Sequence, residues 1–248
     1  MAKTTLGNMK SANPEEKSPA KKTAKREELE KVESTTEVAK IAPNDGMEGD
    51  WDQEDLLLPR LLVIAKTSEL VDQGFTPGGI CLNKEMELAG KDSPLEVIVL
   101  NMVKRYQEDI DWEDDSQPKV FATREEMHSE GFSTEYGAVN YCKPMANFTF
   151  LVKLPDDVED DAGMFPHEFE GSHYAMVAFT AAKTAYATTA KVVASAVAFS
   201  KNPLSAYKWL LTSSLKSYKD NTWFSPSMKR SGILSETEEE FVKGLLPN

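Results

Sequence analysis

The chain has 248 residues, 41 Asp and Glu against 28 Lys and Arg, and a formal net charge of −13. That length holds one large or two small domains with a buried core, and neither a membrane-spanning apolar segment nor a secretory leader is legible in it. Two cysteines in unrelated contexts, Cys81 and Cys142, exclude a disulfide framework and fit a reducing, cytoplasmic setting.

Residues 1–50 lack any sustained apolar period and are rich in Lys, Glu, Ser, Thr, Ala and Pro. They cannot bury enough surface to offset their ordering entropy, so a disordered charged tail is predicted. Its Ala, Glu, Lys and Arg content is compatible with a short undocked helix near residues 21–40. Order is predicted to begin near Trp51, with Leu56–Ile64 as a first apolar run of strand length. Gly74, Pro77, Gly78 and Gly79 mark a turn region. Ile80–Leu82 and Met86–Leu88 read as a hairpin around Asn83–Glu85. Leu95–Val103 is the clearest strand, and its Val97-Ile98-Val99-Leu100 stretch predicts a central position covered on both faces.

Residues 107–147 break this pattern and read as an acidic insertion, opened by the run Glu108–Asp115 and holding a short helix at Thr123–Glu130. Phe148–Leu154 and Tyr174–Thr180 resume as strands around a second acidic run, Asp156–Asp161. A single helix is predicted over Ala181–Ser200. Ala182, Ala185, Tyr186, Ala190, Val193, Ala196 and Val197 share one stripe, while Lys183, Ala187, Lys191 and Ala198 face elsewhere. Asn202-Pro203 ends it. Ser205–Leu215 and Thr222–Ser225 are the last strands, and Ser235-Glu236-Thr237-Glu238 is a capping box opening a terminal helix, Glu236–Leu245.

This order predicts an α+β, mostly β fold: an OB-like barrel with a long helix before the last two strands. The expected division is a tail at 1–50, a domain at 51–234 with its insertion near 107–147, and a short acidic helix at 235–248.

Charge is sorted along the chain. Residues 44–170 carry 29 acids and 10 bases, whereas residues 171–235 carry 8 bases and one acid, Asp220. The basic stretch interleaves lysines with aromatics, the combination that neutralises phosphates while stacking unpaired bases. The competing reading is a lysine-rich solvated face over an aromatic core. Lys183, Lys191, Lys208, Lys216 and Lys219 are the candidate phosphate contacts. Tyr207, Trp209, Tyr218, Trp223 and Phe224 are the candidate stacking rings, with Arg60 and Lys104-Arg105-Tyr106 as further contacts. Strand alternation puts Tyr207, Trp209 and Leu211 on one face and Lys208, Leu210 and Thr212 on the other. An inward Tyr207/Trp209 face is core; an outward one is a stacking platform. Phe148, Phe150, Phe179 and Phe199 sit at apolar positions and read as core.

Catalytic signatures are missing: no GxSxG, HExxH, phosphate-loop or dinucleotide-binding pattern occurs. His128, His167 and His173 lie without metal-ligand spacing, so neither a metal nor a cofactor is expected.

Leu58-Pro59-Arg60-Leu61, the turn Pro77-Gly78-Gly79-Ile80 and the strand Leu95–Val103 ending in Lys104-Arg105 resemble stretches of small phage proteins. So do Pro203–Trp209 and Trp223-Phe224-Ser225-Pro226. With its basic, aromatic body and acidic C-terminal segment, the chain is similar over about residues 55–240 to the phage-type single-stranded DNA-binding proteins. The resemblance implies an OB barrel that coats unpaired DNA during replication or recombination in the host cytoplasm. It also implies acidic segments that contact replication proteins; self-association into a homo-oligomer is compatible with it. The acidic end, Glu236–Glu240, is short and runs into the apolar Phe241–Leu246, and residues 107–170 hold more acid than a DNA-binding face needs. The alternative is therefore a non-enzymatic acidic adaptor or DNA mimic, whose Glu108–Asp115 and Asp156–Asp161 fill a partner's basic groove.

Overall fold

The computed structural model describes residues 57–111 and 116–246. The predicted tail, the Trp51 start and the 112–115 portion of the first acidic run lie outside the described residues.

Two antiparallel sheets and few helices make a mostly β protein. Strands β1 (Leu61–Val63), β2 (Ile80–Leu82) and β3 (Met86–Ala89) form the smaller sheet. The predicted β2–β3 hairpin is there, and its turn places Asn83 and Lys84 at positive φ. Seven strands form the larger sheet: β4 (Leu95–Glu108), β5 (Val120–Phe121), β6 (Cys142–Lys153), β7 (His167–Phe169), β8 (Ser172–Ala182), β9 (Tyr207–Tyr218) and β10 (Asn221–Ile233). Their order is β10-β9-β4-β6-β8-β7, with β5 added alongside β4. β4 is central, pairing with β6 along most of its length and with β9 over Leu95–Ile98.

The predicted OB-like barrel is corrected here: the sheet does not close, because β8 and β10 do not pair. Helix α2 (Thr184–Thr188) packs against both strands, and the Thr188 hydroxyl donates to the Pro226 carbonyl at 2.6 Å. At β8, the Ala178 N–H donates to the Pro59 carbonyl at 2.8 Å, so the incoming chain takes part of the free edge.

The predicted long helix is two short ones. Ala181 and Ala182 extend β8, Lys183 turns the chain with φ 54°, and Thr189 separates α2 from α3 (Ala190–Ala198). The Thr189 hydroxyl bonds back to the Ala185 carbonyl at 2.6 Å, a local alternative to continuing the helix. The predicted stripe still faces inward: Ala190 and Val193 are buried, with Ala185, Tyr186, Ala196 and Val197 packed beside them. Phe199 is a further correction. It ends α3 at 92 % exposure, because the break at Thr189 and the stop after Ala198 leave it beyond the buried stripe.

β4 is covered on both faces, as its apolar run predicts. Leu95, Val97 and Val99 enter the main core between the sheets and α3. Ile98 and Leu100 meet Leu151, Leu234 and Val242 beneath α4 (Glu236–Leu245), whose capping box at Ser235 and Glu238 forms as read from sequence. The insertion is more ordered than a loop. β5 and α1 (Arg124–Ser129), capped by Thr123 and Glu126, close a separate cluster of Tyr106, Phe121, Met127, Phe132 and Cys142.

Candidate nucleic-acid interface

The β9–β10 hairpin carries most of the predicted site, and its two halves differ. In the proximal half, Tyr207, Trp209 and Leu211 point inward and are fully buried, with the Tyr207 and Trp209 rings edge to face at 6.2 Å. These two rings are therefore core, because this part of β9 pairs with the central β4 at Leu95–Ile98. Lys208 points the other way and is covered by α4, where it forms an ion pair with Glu238. Burial alone would lower the Lys208 pKa, but the hydrogen bond and charge of Glu238 outweigh it and hold the ammonium above its ordinary value. The same partnership outweighs burial at Glu238 and holds its carboxyl below the ordinary value. Lys208 thus fastens α4 to the sheet.

The distal half runs past the start of β4 and rests on the loop before β2. The Ser213 hydroxyl donates to the Gly78 carbonyl, and the Phe224 ring lies so close to Gly78 that a Cβ there would sit 2.6 Å from it. Phe224 is half-buried and serves as an anchor. Lys66 donates to the Thr222 hydroxyl at 2.9 Å.

Cross-strand pairing places Trp223 opposite Lys216 and Asn221 opposite Tyr218, all on one face of the ribbon. Tyr218 is 66 % and Trp223 36 % exposed, and the Lys219 ammonium lies 5.5 Å from the Tyr218 ring centroid. Among the described residues, Lys66, Lys216, Lys219 and Lys229 take part in no ion pair. An exposed tip with two rings and unpaired ammonium groups has the chemistry to stack on flat π-systems and to neutralise phosphates.

The remaining candidates are dispersed. Arg60 lines a groove of about 490 Å³ with Asn101 and Val103 of β4, Asn147 and Thr149 of β6, and Thr180 of β8. Lys183 is exposed between Ala182 and Ala185, both of which also line that groove. Lys191 is exposed on α3. Lys104 is exposed at the far end of β4, Arg105 is half-buried, and the Tyr106 ring packs into the insertion's cluster with only 7 % exposure. Burial would raise the Tyr106 phenol, but hydrogen bonding and charge from Lys104 and Arg124 outweigh that and hold it below its ordinary value.

Sequence reasoning missed Lys66 and Arg124. Lys66 reaches the hairpin from a segment 156 residues away, and Arg124 opens a short helix, so no local pattern marks either one. The histidines stay apart from the interface. His128 Nδ1 lies 3.0 Å from the Phe132 carbonyl, and burial holds His167 below its ordinary pKa. Among the described residues no group of three His, Cys, Asp or Glu side chains is placed to hold a metal ion, and no helix is long and apolar enough to cross a membrane. Comparison of the chain with protein-family models, with curated proteins and with solved structures finds no match.

Proposed function

We propose that this chain binds single-stranded DNA, without catalysing a reaction on it, as a phage-type protein of replication or recombination. The observation that carries the reading is the hairpin tip, where Tyr218 and Trp223 are exposed with Lys216 and Lys219, while Lys66 reaches Thr222 on the other face of the ribbon. Stacking on exposed rings with charge neutralisation by unpaired lysines is how single strands are held without regard to sequence.

The connectivity supports the same reading. β4, β6, β8, the α2–α3 pair, β9 and β10 follow one another as the strands and helix of an OB framework do, here left open between β8 and β10. In such a framework the hairpin joining the last two strands is one of the loops that meet the oligonucleotide. The groove beside Arg60 would then give the strand a polar path over β4, β6 and β8.

The test is titration of oligo-dT binding with salt. The reading requires affinity to fall with a log–log slope of about −0.7 for each phosphate contacted. A salt-independent affinity, or no binding at low salt, would reject it in favour of an acidic adaptor.

A further inference from the structure

We propose that Lys104, Tyr106 and Arg124 form a phosphate-binding site at the end of β4 remote from the β9–β10 hairpin. Lys104 and Tyr106 are also among the contacts read from the sequence, but the site lies apart from the hairpin tip on which the DNA-binding reading rests, and it is probed by phosphate alone. Lys104 and Tyr106 alternate on β4, so their side chains leave the same face of the strand. Arg124 arrives from α1, which is fixed by its capping box and by Met127, buried in the same cluster as the Tyr106 ring. The Lys104 ammonium stands 4.9 Å and the Arg124 guanidinium 5.9 Å from the Tyr106 ring centroid.

Two like charges held beside one phenol repel each other unless an anion lies between them. Four nearby carboxylates are engaged elsewhere, while Glu125, next to Arg124 on α1, takes part in no ion pair among the described residues. Glu108 accepts from the Lys119 N–H at 3.1 Å, and Glu126 accepts from the Ala122 N–H at 2.7 Å. Glu130 pairs with Lys119, and Asp109 with Lys143. Among the described residues, neither Lys104 nor Arg124 takes part in an ion pair. A guanidinium fork, an ammonium and a hydroxyl on a preorganised scaffold match the several oxygens of a phosphate. The lowered phenol pKa agrees with a positive potential already present at that point.

The experiment uses the full chain, with inorganic phosphate and pyrophosphate as probes and NMR of the Arg124 Nε–H and the Tyr106 ring as readout. Saturable shifts at both residues are expected. The Tyr106 phenol pKa should rise when the anion binds, because the anion cancels the cations that depress it. Arg124→Gln should weaken pyrophosphate binding by about tenfold or more, the loss of a charge-assisted hydrogen-bond pair. Arg124 is exposed, so the melting temperature should hold, and Lys229→Gln and Trp223→Ala should leave the titration unchanged. Absence of saturable shifts overturns the proposal, as does equal affinity in Arg124→Gln.

Discussion

Trp209 and Trp223 stand on the two halves of one hairpin, and burial separates what their removal does. Trp209→Ala empties a core position and should cost about 3–5 kcal/mol of stability, read by thermal or denaturant unfolding. Trp223→Ala, at a partly exposed position, should hardly move the melting temperature while weakening single-stranded DNA binding by about 1–3 kcal/mol. A Trp223 variant with both properties unchanged would remove the stacking role. Lys208 and Glu238 give a second expectation, in pH. Glu238 is held below its ordinary carboxyl value, so its contribution is present above that value and lost as pH falls through the lowered one. Lys208 is held above its ordinary 10.5, so its contribution is complete below that value and lost as pH rises through the raised one. Stability from this pair should therefore form a plateau between the two limits. Glu238→Gln keeps a side chain able to cap α4 but leaves Lys208 without its counter-charge. It should lower stability by about 1.5–3 kcal/mol at neutral pH and flatten both limbs.

At the scale of elements, the distal hairpin depends on a contact far away in sequence. Gly78 has φ +84°, and the Phe224 ring occupies the space where a side chain would begin. Gly78→Ala should strain both backbone and contact, costing about 1–3 kcal/mol. It should also weaken DNA binding although Gly78 presents nothing to DNA, because the tip loses its support; unchanged stability and affinity would show that the hairpin stands by itself. The same feature explains what sequence reading could reach. Val97-Ile98-Val99-Leu100 announced a doubly covered strand, and Ser235 with Glu238 announced the start of α4, because both signals are local. The sequence reading ends β9 at Leu215 and β10 at Ser225, since Lys216 and Ser217 beyond the one and Pro226 and Ser227 beyond the other supply no apolar alternation. The insertion read as loop because Phe121, Met127, Phe132 and Cys142 are isolated in sequence and become a cluster only when β4, β5 and β6 meet. Strand alternation correctly put Tyr207 and Trp209 together on one face, yet it could not say which face was inward; pairing with β4 decides that.

For the whole molecule, the net charge of −13 conceals where the unpaired cations lie. Salt bridges hold Lys119 and Lys143 within the acidic insertion and Lys208 beneath α4, while Lys216, Lys219 and Lys229 of the hairpin take part in no ion pair among the described residues. Association with DNA should therefore be steered by the hairpin and suppressed by salt, even though the protein as a whole is acidic. Charge reversal at Lys216 and Lys219 together should reduce the salt slope by about 1.4, two phosphate contacts' worth, with little change in unfolding. An unaltered slope would move the interface elsewhere.

An unclosed sheet offers its rims to other chains, since unpaired strand edges template further strands. Here the rims are blunted by imino acids. Pro226, without an N–H, lies on β10, where its carbonyl is taken by Thr188, and the carbonyl of Pro59 engages Ala178 on β8. Where β8 and β10 fail to pair, each therefore presents fewer free backbone groups to the strand of another copy.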